Sequence, residues 1–330
     1  MFQEASLLFL RAVTSLHPGS GSEVKFVDLP VQRERFTAFP KIEGSSFKGA
    51  VRAAVESSLC CRGAEDLKIV ERIFGAAAGG KEKSGHAGAL AFTDARLLLF
   101  PVRSLKGTFV WLTCPYVLKR WQWEIETFSS FSSSLGAFRI PVPQPTTVSG
   151  DGALIGGSGQ KQPSQNGRTR LALAEFAFDA GISEECERLA KMLGGILFSP
   201  EEEALKSEFV KRVAVLEDDV FVNFVTLFTE VNARIRISAR TGTADADASA
   251  LWYEENVPPE TVFYSFCLAG EERVSDGRSG SESREKQGAA RRLSASEVMA
   301  FIKDEGNLPP VFTLGGSKTT GSGVVRRIWV

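Results

Sequence analysis

The order of apolar segments in the first 112 residues limits the fold more than any other feature of this chain. Ala5 to Leu16 (ASLLFLRAVTSL) is a short apolar run closed by His17-Pro-Gly-Ser-Gly, which predicts a buried strand ending in a turn. Ala50, Val51, Ala54, Val55 and Leu59 follow at helical spacing between Phe47 and Cys60, behind Gly44-Ser45-Ser46, which reads as a helix N-cap region. Ala89 to Val102 and Thr108 to Leu112 then predict two further strands. Strand, helix, strand, strand is the opening of an α+β fold of the ferredoxin-like, RNA-recognition-motif-like kind.

The remainder repeats the theme less regularly. Pro141 to Arg170 is rich in Pro, Gly, Ser and Gln and reads as a projecting insertion. A helix near Glu184 to Leu193 and strands near Lys211–Leu216, Ala233–Ser238 and Thr261–Leu268 come next. Gly270 to Arg292 is almost free of apolar residues and predicts a disordered loop. Ser294-Ala-Ser-Glu then forms a capping-box pattern ahead of a helix ending near Gly306, and a last strand pair brackets Gly315 to Gly323. This order suggests a second βαββ half. With no sharp linker, residues 1–330 read as one decorated domain with insertions at about 141–170 and 270–292.

Composition narrows the function classes. At 330 residues, 43% hydrophobic and with 24 phenylalanines, the chain is long and apolar enough for a substantial core. A net charge of −1 argues against a general nucleic-acid coat, so any RNA contact must come from local patches. Five cysteines without CxxC spacing and only two histidines argue against a zinc site, and the odd count suits reduced thiols. The start MFQEASLLFL has no basic n-region, and no apolar run reaches about 18 residues. A soluble, cytoplasmic protein with no membrane partner is expected.

Local charge singles out Lys25 to Arg52. Lys25, Arg33, Arg35, Lys41, Lys48 and Arg52 face only Asp28, Glu34 and Glu43, leaving +3 in an otherwise near-neutral chain. Asp28 within that field is either a salt-bridge partner or a carboxylate kept ionised beside a polyanion, and charge pattern alone favours the salt bridge. Lys48 and Arg52 share one helix face behind the Ser45 and Ser46 hydroxyls, which fits a phosphate site or an ordinary capped helix equally well. Gly315 to Val330 carries Lys318, Arg326 and Arg327 without an acid. Its GGSKTTGSG run is no Walker A, because a β-like Val324-Val325-Arg326-Arg327 follows where a helix is needed. The bare backbone of Gly315, Gly316, Gly321 and Gly323 nevertheless suits close approach to phosphates.

The segments DLPVQRERFTAFPKIEGSSFKGAVR, HPGSG at His17 to Gly21, LWYEENVPPETVFYS at Leu251 to Ser265 and GGSKTTGSGVV resemble those of the RAMP-superfamily backbone subunits of type III-B CRISPR (Cmr) effector complexes. The likeness runs in order from residue 5 to 330 and is most specific in the first segment. It implies a ferredoxin-like palm with insertions that include a thumb-like β-hairpin, loosely located in the middle of the chain. It also implies a helical filament of copies along CRISPR RNA, within a complex with other Cmr subunits. Each copy then endonucleolytically cuts complementary single-stranded target RNA at regular intervals. The family's catalytic aspartate falls on Asp28, its histidine on His17, and a further acid on Glu254 or Glu255. Lys25, Arg33, Arg35, Ser45, Ser46, Lys48, Arg52 and the glycine loop with Lys318 correspond to guide-holding surfaces.

Two histidines are too few for a metal-free site built on a histidine pair, so the cut is expected to need a loosely held Mg²⁺ or other divalent cation at Asp28. Kinking the strand aligns the ribose 2′-OH with the scissile phosphorus, and base pairing supplies sequence recognition. An architectural subunit that binds guide RNA without cutting, with Asp28 in a structural ion pair, is the alternative. A small-molecule enzyme using GGSKTTGSG for phosphate is a third reading, disfavoured by the missing helix.

Overall fold

The computed structural model describes residues 2–22, 26–60, 64–76, 85–132, 134–155, 169–244, 251–273 and 291–330. The first apolar run forms strand β1 (Phe2–Ala12), and its continuous burial from Ala5 to Leu10 means that both faces are covered. Helix α1 (Gly44–Leu59) follows and buries Phe47, Ala50, Val51, Val55 and Leu59. Strands β2 (Ala95–Arg103) and β3 (Phe109–Thr113) complete the opening β-α-β-β. The predicted Ala89–Val102 strand is thus split: Leu90–Phe92 pairs separately, and Thr93-Asp94 interrupts the run.

Helix α2 (Pro115–Phe128) was not signalled by the sequence. It lies against the sheet through Trp121, whose ring is 5.6 Å from Phe9, and through Phe128, 4.4 Å from Phe266. After an inserted unit come β4 (Val213–Val215), α3 (Asp218–Leu227), and a hairpin of β5 (Glu230–Ile235) and β6 (Leu251–Asn256). The second half is β7 (Val262–Gly270), α4 (Ala295–Lys303), β8 (Val311–Thr313) and β9 (Val324–Trp329), the predicted βαββ order. The expected capping box opens α4: Ser294 Oγ accepts from Glu297 N–H and Glu297 returns an acceptor to Ser294 N–H.

The sheet runs β8-β9-β1-β7-β2-β3-β4. All neighbours are antiparallel except β3 with β4. β1 is therefore an interior strand between β9 and β7, and its C-terminal end delivers Ser15, Leu16 and His17 to the same edge as the β7 start, where Leu16 bridges Val257. Side-chain alternation on β7 explains the double layer: Tyr264 and Phe266 meet α2 aromatics, while Phe263 and Cys267 point to the other buried face. Truncating a wholly buried ring such as Trp121 would cost about 3–5 kcal/mol.

One further expectation from the sequence differs from the fold. Helix α1 begins at Gly44, so Ser45 and Ser46 lie in its first turn and do not cap it. Asp94 Oδ1 does so instead, accepting from Gly44 N–H at 2.8 Å. Of the two insertions, residues 156–168 and 274–290 lie outside the described residues, while 169–182 form a hairpin joined to the sheet. Among the described residues no helix is long and apolar enough to cross a membrane.

Candidate active site

Four segments far apart in sequence meet beyond the end of β1. The turn after His17 pairs with the Asp28 segment: Gln32 N–H donates to Pro18 O at 2.7 Å and Ser20 N–H to Pro30 O at 3.0 Å. The Asp28 segment pairs on its other side with β6, through Leu29 N–H to Tyr253 O at 3.1 Å and Glu255 N–H to Leu29 O at 2.9 Å. The glycine loop closes the site from the β8–β9 turn, where Gly316 N–H donates to His17 O at 2.9 Å and Gly323 N–H to Ser15 O. Between them lies a cleft of about 480 Å³ bordered by His17, Gly19, Leu29, Ser46, Gly316 and Lys318.

Asp28 is half-buried, and Tyr253 N–H donates to its Oδ2 at 2.7 Å. Among the described residues no cation pairs with it; Lys25 lies outside them. The carboxylate is therefore fixed by the hairpin backbone and has a second edge without a partner among the described residues.

The adjacent glutamates divide cleanly because successive β6 side chains point to opposite sides. Glu255 is consumed internally: it accepts from Arg33 at 2.5 Å, Thr229 Oγ1 at 2.7 Å and Val31 N–H at 2.9 Å. Arg33 also donates to Ala38 O and Val225 O, so it ties the Asp28 segment to α3 and β6. Glu254 faces the glycine loop, accepting from Ser317 Oγ at 2.8 Å and Asn256 Nδ2 at 3.1 Å, with Arg234 at 3.4 Å. Burial would raise its pKa, but the Ser317 and Asn256 hydrogen bonds and the Arg234 and His17 charges outweigh burial and hold it below the usual carboxylate range.

His17 is buried, with Nδ1 2.6 Å from the Glu255 carbonyl oxygen. Gly315 (φ +86°) approaches the His17 carbonyl so closely that a Cβ there would overlap it, which is why this position needs glycine.

The basic residues are less uniform than their spacing suggests. Lys48 is half-buried and donates to Leu90 O at 2.8 Å, its pKa lowered first by burial and then by Arg52 and Arg273. Arg52 pairs with Glu56 and donates to Gly75 O. Arg35 borders a different cleft with Phe36, Tyr116, Asp218 and Asp219. Lys318, Ser45 and Ser46 are exposed, and Gly321 lies at the open tip of the loop. Sequence reasoning missed Arg120, buried on α2, whose Nη1 donates to both Glu34 oxygens and pins the 31–40 loop. It also missed Ser317 and Asn256 as partners of Glu254.

Among the described residues no three His, Cys, Asp or Glu side chains converge as a metal cage. A single partly exposed carboxylate fits only a hard cation that keeps water and takes its other ligands from RNA oxygens.

The sequence profile of the RAMP superfamily matches residues 9–326. The chain is 36% identical over 270 residues to the CRISPR system Cmr endoribonuclease Cmr4 of Pyrococcus furiosus, covering 80% of this chain and 81% of that one. It is also similar to the crystal structure of oligomeric Cmr4 from Pyrococcus furiosus, with TM-score 0.62, 25% identity and 99% and 98% of the two chains covered. A chain of the type III-B Cmr-beta complex bound to cognate target RNA shares the fold at TM-score 0.65 and 22% identity, over 99% and 98% of the chains. From the matched profile and the curated relative, the chain belongs to the RAMP superfamily and, within it, to the Cmr4-type backbone subunits.

Proposed function

We propose that this chain is the repeating, RNA-cutting backbone subunit of a CRISPR RNA-guided Cmr-type complex in antiviral defence. The observation that carries the reading is the convergence on one cleft of His17, the glycine loop and, through Leu29 and Gln32, the segment that carries Asp28, in a chain similar to a Cmr endoribonuclease. In this reading β9-β1-β7-β2 with α1 and α4 is the ferredoxin-like palm, since its strand order is 4-1-3-2 of a βαββαβ unit. The β5–β6 hairpin is the thumb-like projection, with Ile235, Leu251 and Tyr253 exposed along it.

Guide RNA lies against the palm, with Lys318, Ser45, Ser46 and the backbone of Gly315, Gly316, Gly321 and Gly323 toward its phosphates. Lys48 and Arg52 contribute positive charge beside it, Arg35 would meet RNA only at its separate cleft, and Arg33 acts through Glu255. The target strand passes the hairpin, and its scissile linkage rests beside Asp28. The 2′-oxygen attacks the adjacent phosphorus, forming the 2′-O–P bond as the P–O5′ bond breaks; His17 Nε2 takes the 2′-OH proton, and the leaving O5′ takes a proton from water. Asp28, fixed on the Tyr253 amide, would hold a divalent cation with the edge that has no partner among the described residues. When bound, that cation neutralises charge developing on the phosphate.

The test is product chemistry. Full chain assembled with CRISPR RNA, the other Cmr subunits and end-labelled complementary RNA should give regularly spaced 5′ fragments ending in 2′,3′-cyclic phosphate. Fragments ending in 3′-hydroxyl would sink 2′-OH attack, and an intact target would sink the nuclease reading.

A further inference from the structure

The loop that carries the glycines is also the wall that holds His17. A carbonyl oxygen only accepts, so the 2.6 Å contact to the Glu255 carbonyl places a proton on Nδ1. In the neutral ring the lone pair then belongs to Nε2. His17 is only 7% exposed, yet among the described residues nothing donates to Nε2. Glycine is what leaves room around it. A Cβ at Gly19 would stand 2.6 Å from Nε2, and one at Gly316 would stand 2.9 Å from Cδ2.

The wall is itself fastened. Ser317 sits at φ +55°, a left-handed conformation uncommon for a residue with a side chain, and its hydroxyl donates to Glu254 Oε2 at 2.8 Å. Asn256 and Arg234 steady the other Glu254 oxygen. The hydrogen bond to Glu254 therefore maintains the loop shape that brings Gly316 over the imidazole.

We propose that Glu254, Ser317, Gly19 and Gly316 are positioning residues that hold His17 as the Nδ1–H tautomer, with Nε2 presented to a ribose hydroxyl in the cleft. Glu254 acts through the loop and Glu255 through its carbonyl, so the two neighbours serve one imidazole by different atoms. Guide phosphates lying on the loop would press on the same wall, which couples guide seating to the proton acceptor. The inference rests on reading this cleft as the cleavage site.

Two histidines make the test direct. Long-range ¹H–¹⁵N spectra of the full chain labelled at histidine, with His86→Gln to assign the signals, report the tautomer of His17. The wild type should show the proton on Nδ1. Ser317→Ala and Gly316→Ala should give mixed tautomers and, in the assembled complex, a kcat for target cleavage lower by about 10- to 100-fold with KM within about twofold. Glu254→Ala, which removes the acceptor of the Ser317 hydroxyl, should shift both readouts in the same direction. A proton on Nε2 in the wild type, or an unchanged tautomer and kcat in both loop variants, would overturn the proposal. Loss of the Nδ1–H tautomer in the variants of a chain whose wild type cuts no RNA would overturn the cleavage reading and leave the holder standing.

Discussion

Replacing Glu255 tests whether the Arg33 contact is the fastening that holds the Asp28 segment. Its carboxylate is buried, and Arg33 is about one-fifth exposed. Glu255→Gln preserves volume but leaves the guanidinium without its counter-charge and weakens the Thr229 and Val31 hydrogen bonds. Breaking a buried pair costs about 3–5 kcal/mol, and the partial exposure of Arg33 sets the expectation at the low end, about 3 kcal/mol. With a urea slope of about 3 kcal/mol/M, the unfolding midpoint should fall by about 1 M. A double-mutant cycle with Arg33→Met isolates the pair: the double variant should be about 2 kcal/mol more stable than the sum of the singles predicts. Additive singles, or a Glu255→Gln loss below about 0.5 kcal/mol, would refute the reasoning. The variant should also cut target RNA poorly while guide RNA stays bound, because the Leu29 backbone and the Asp28 carboxylate are hydrogen-bonded to the same strand.

Other outcomes follow from the same contacts. Gly323→Ala places a Cβ onto the Leu314 carbonyl oxygen at a residue with φ +85°, so it should destabilise the chain by about 1–3 kcal/mol in a urea titration, whereas Gly321→Ala, at φ +87° with open space around it, should cost less. Asp94 is pushed up by burial but pulled further down by the Gly44 amide and Lys41, so its folded pKa lies below the usual value. Its contribution is fully present above the unfolded value of about 3.9 and is lost as pH falls through the folded one; Asp94→Asn should flatten stability against pH in that acid window and leave the neutral-to-alkaline limb unchanged.

Local pattern was enough where one segment decides its own structure. The apolar run of β1, the Ala50-Val51-Val55-Leu59 face of α1 and the Ser294–Glu297 box of α4 all appear where the sequence predicts them. Helix α2 was hidden because PYVLKRWQWEIETF is dense in aromatic and β-branched residues, and its helical face is fixed by packing against Phe9. The site was legible as a set of residue types, not as contacts. Nothing near Lys48 or Arg52 in sequence announces Leu90 O and Gly75 O as partners, and only the β6 register assigns Glu255 to Arg33 and Glu254 to Ser317. Asp94 replaces the expected serine cap from 50 residues away for the same reason.

Asp28 is the residue on which target cutting depends most directly in the proposed mechanism. Wild-type and Asp28→Ala chains, each assembled with CRISPR RNA, the other Cmr subunits and labelled complementary RNA in Mg²⁺, should bind target equally. Only the wild type should release regularly spaced fragments. Cleavage by the Asp28→Ala complex at the wild-type rate would contradict the account, leaving Asp28 a structural residue on the Tyr253 amide and the chain an architectural holder of guide RNA.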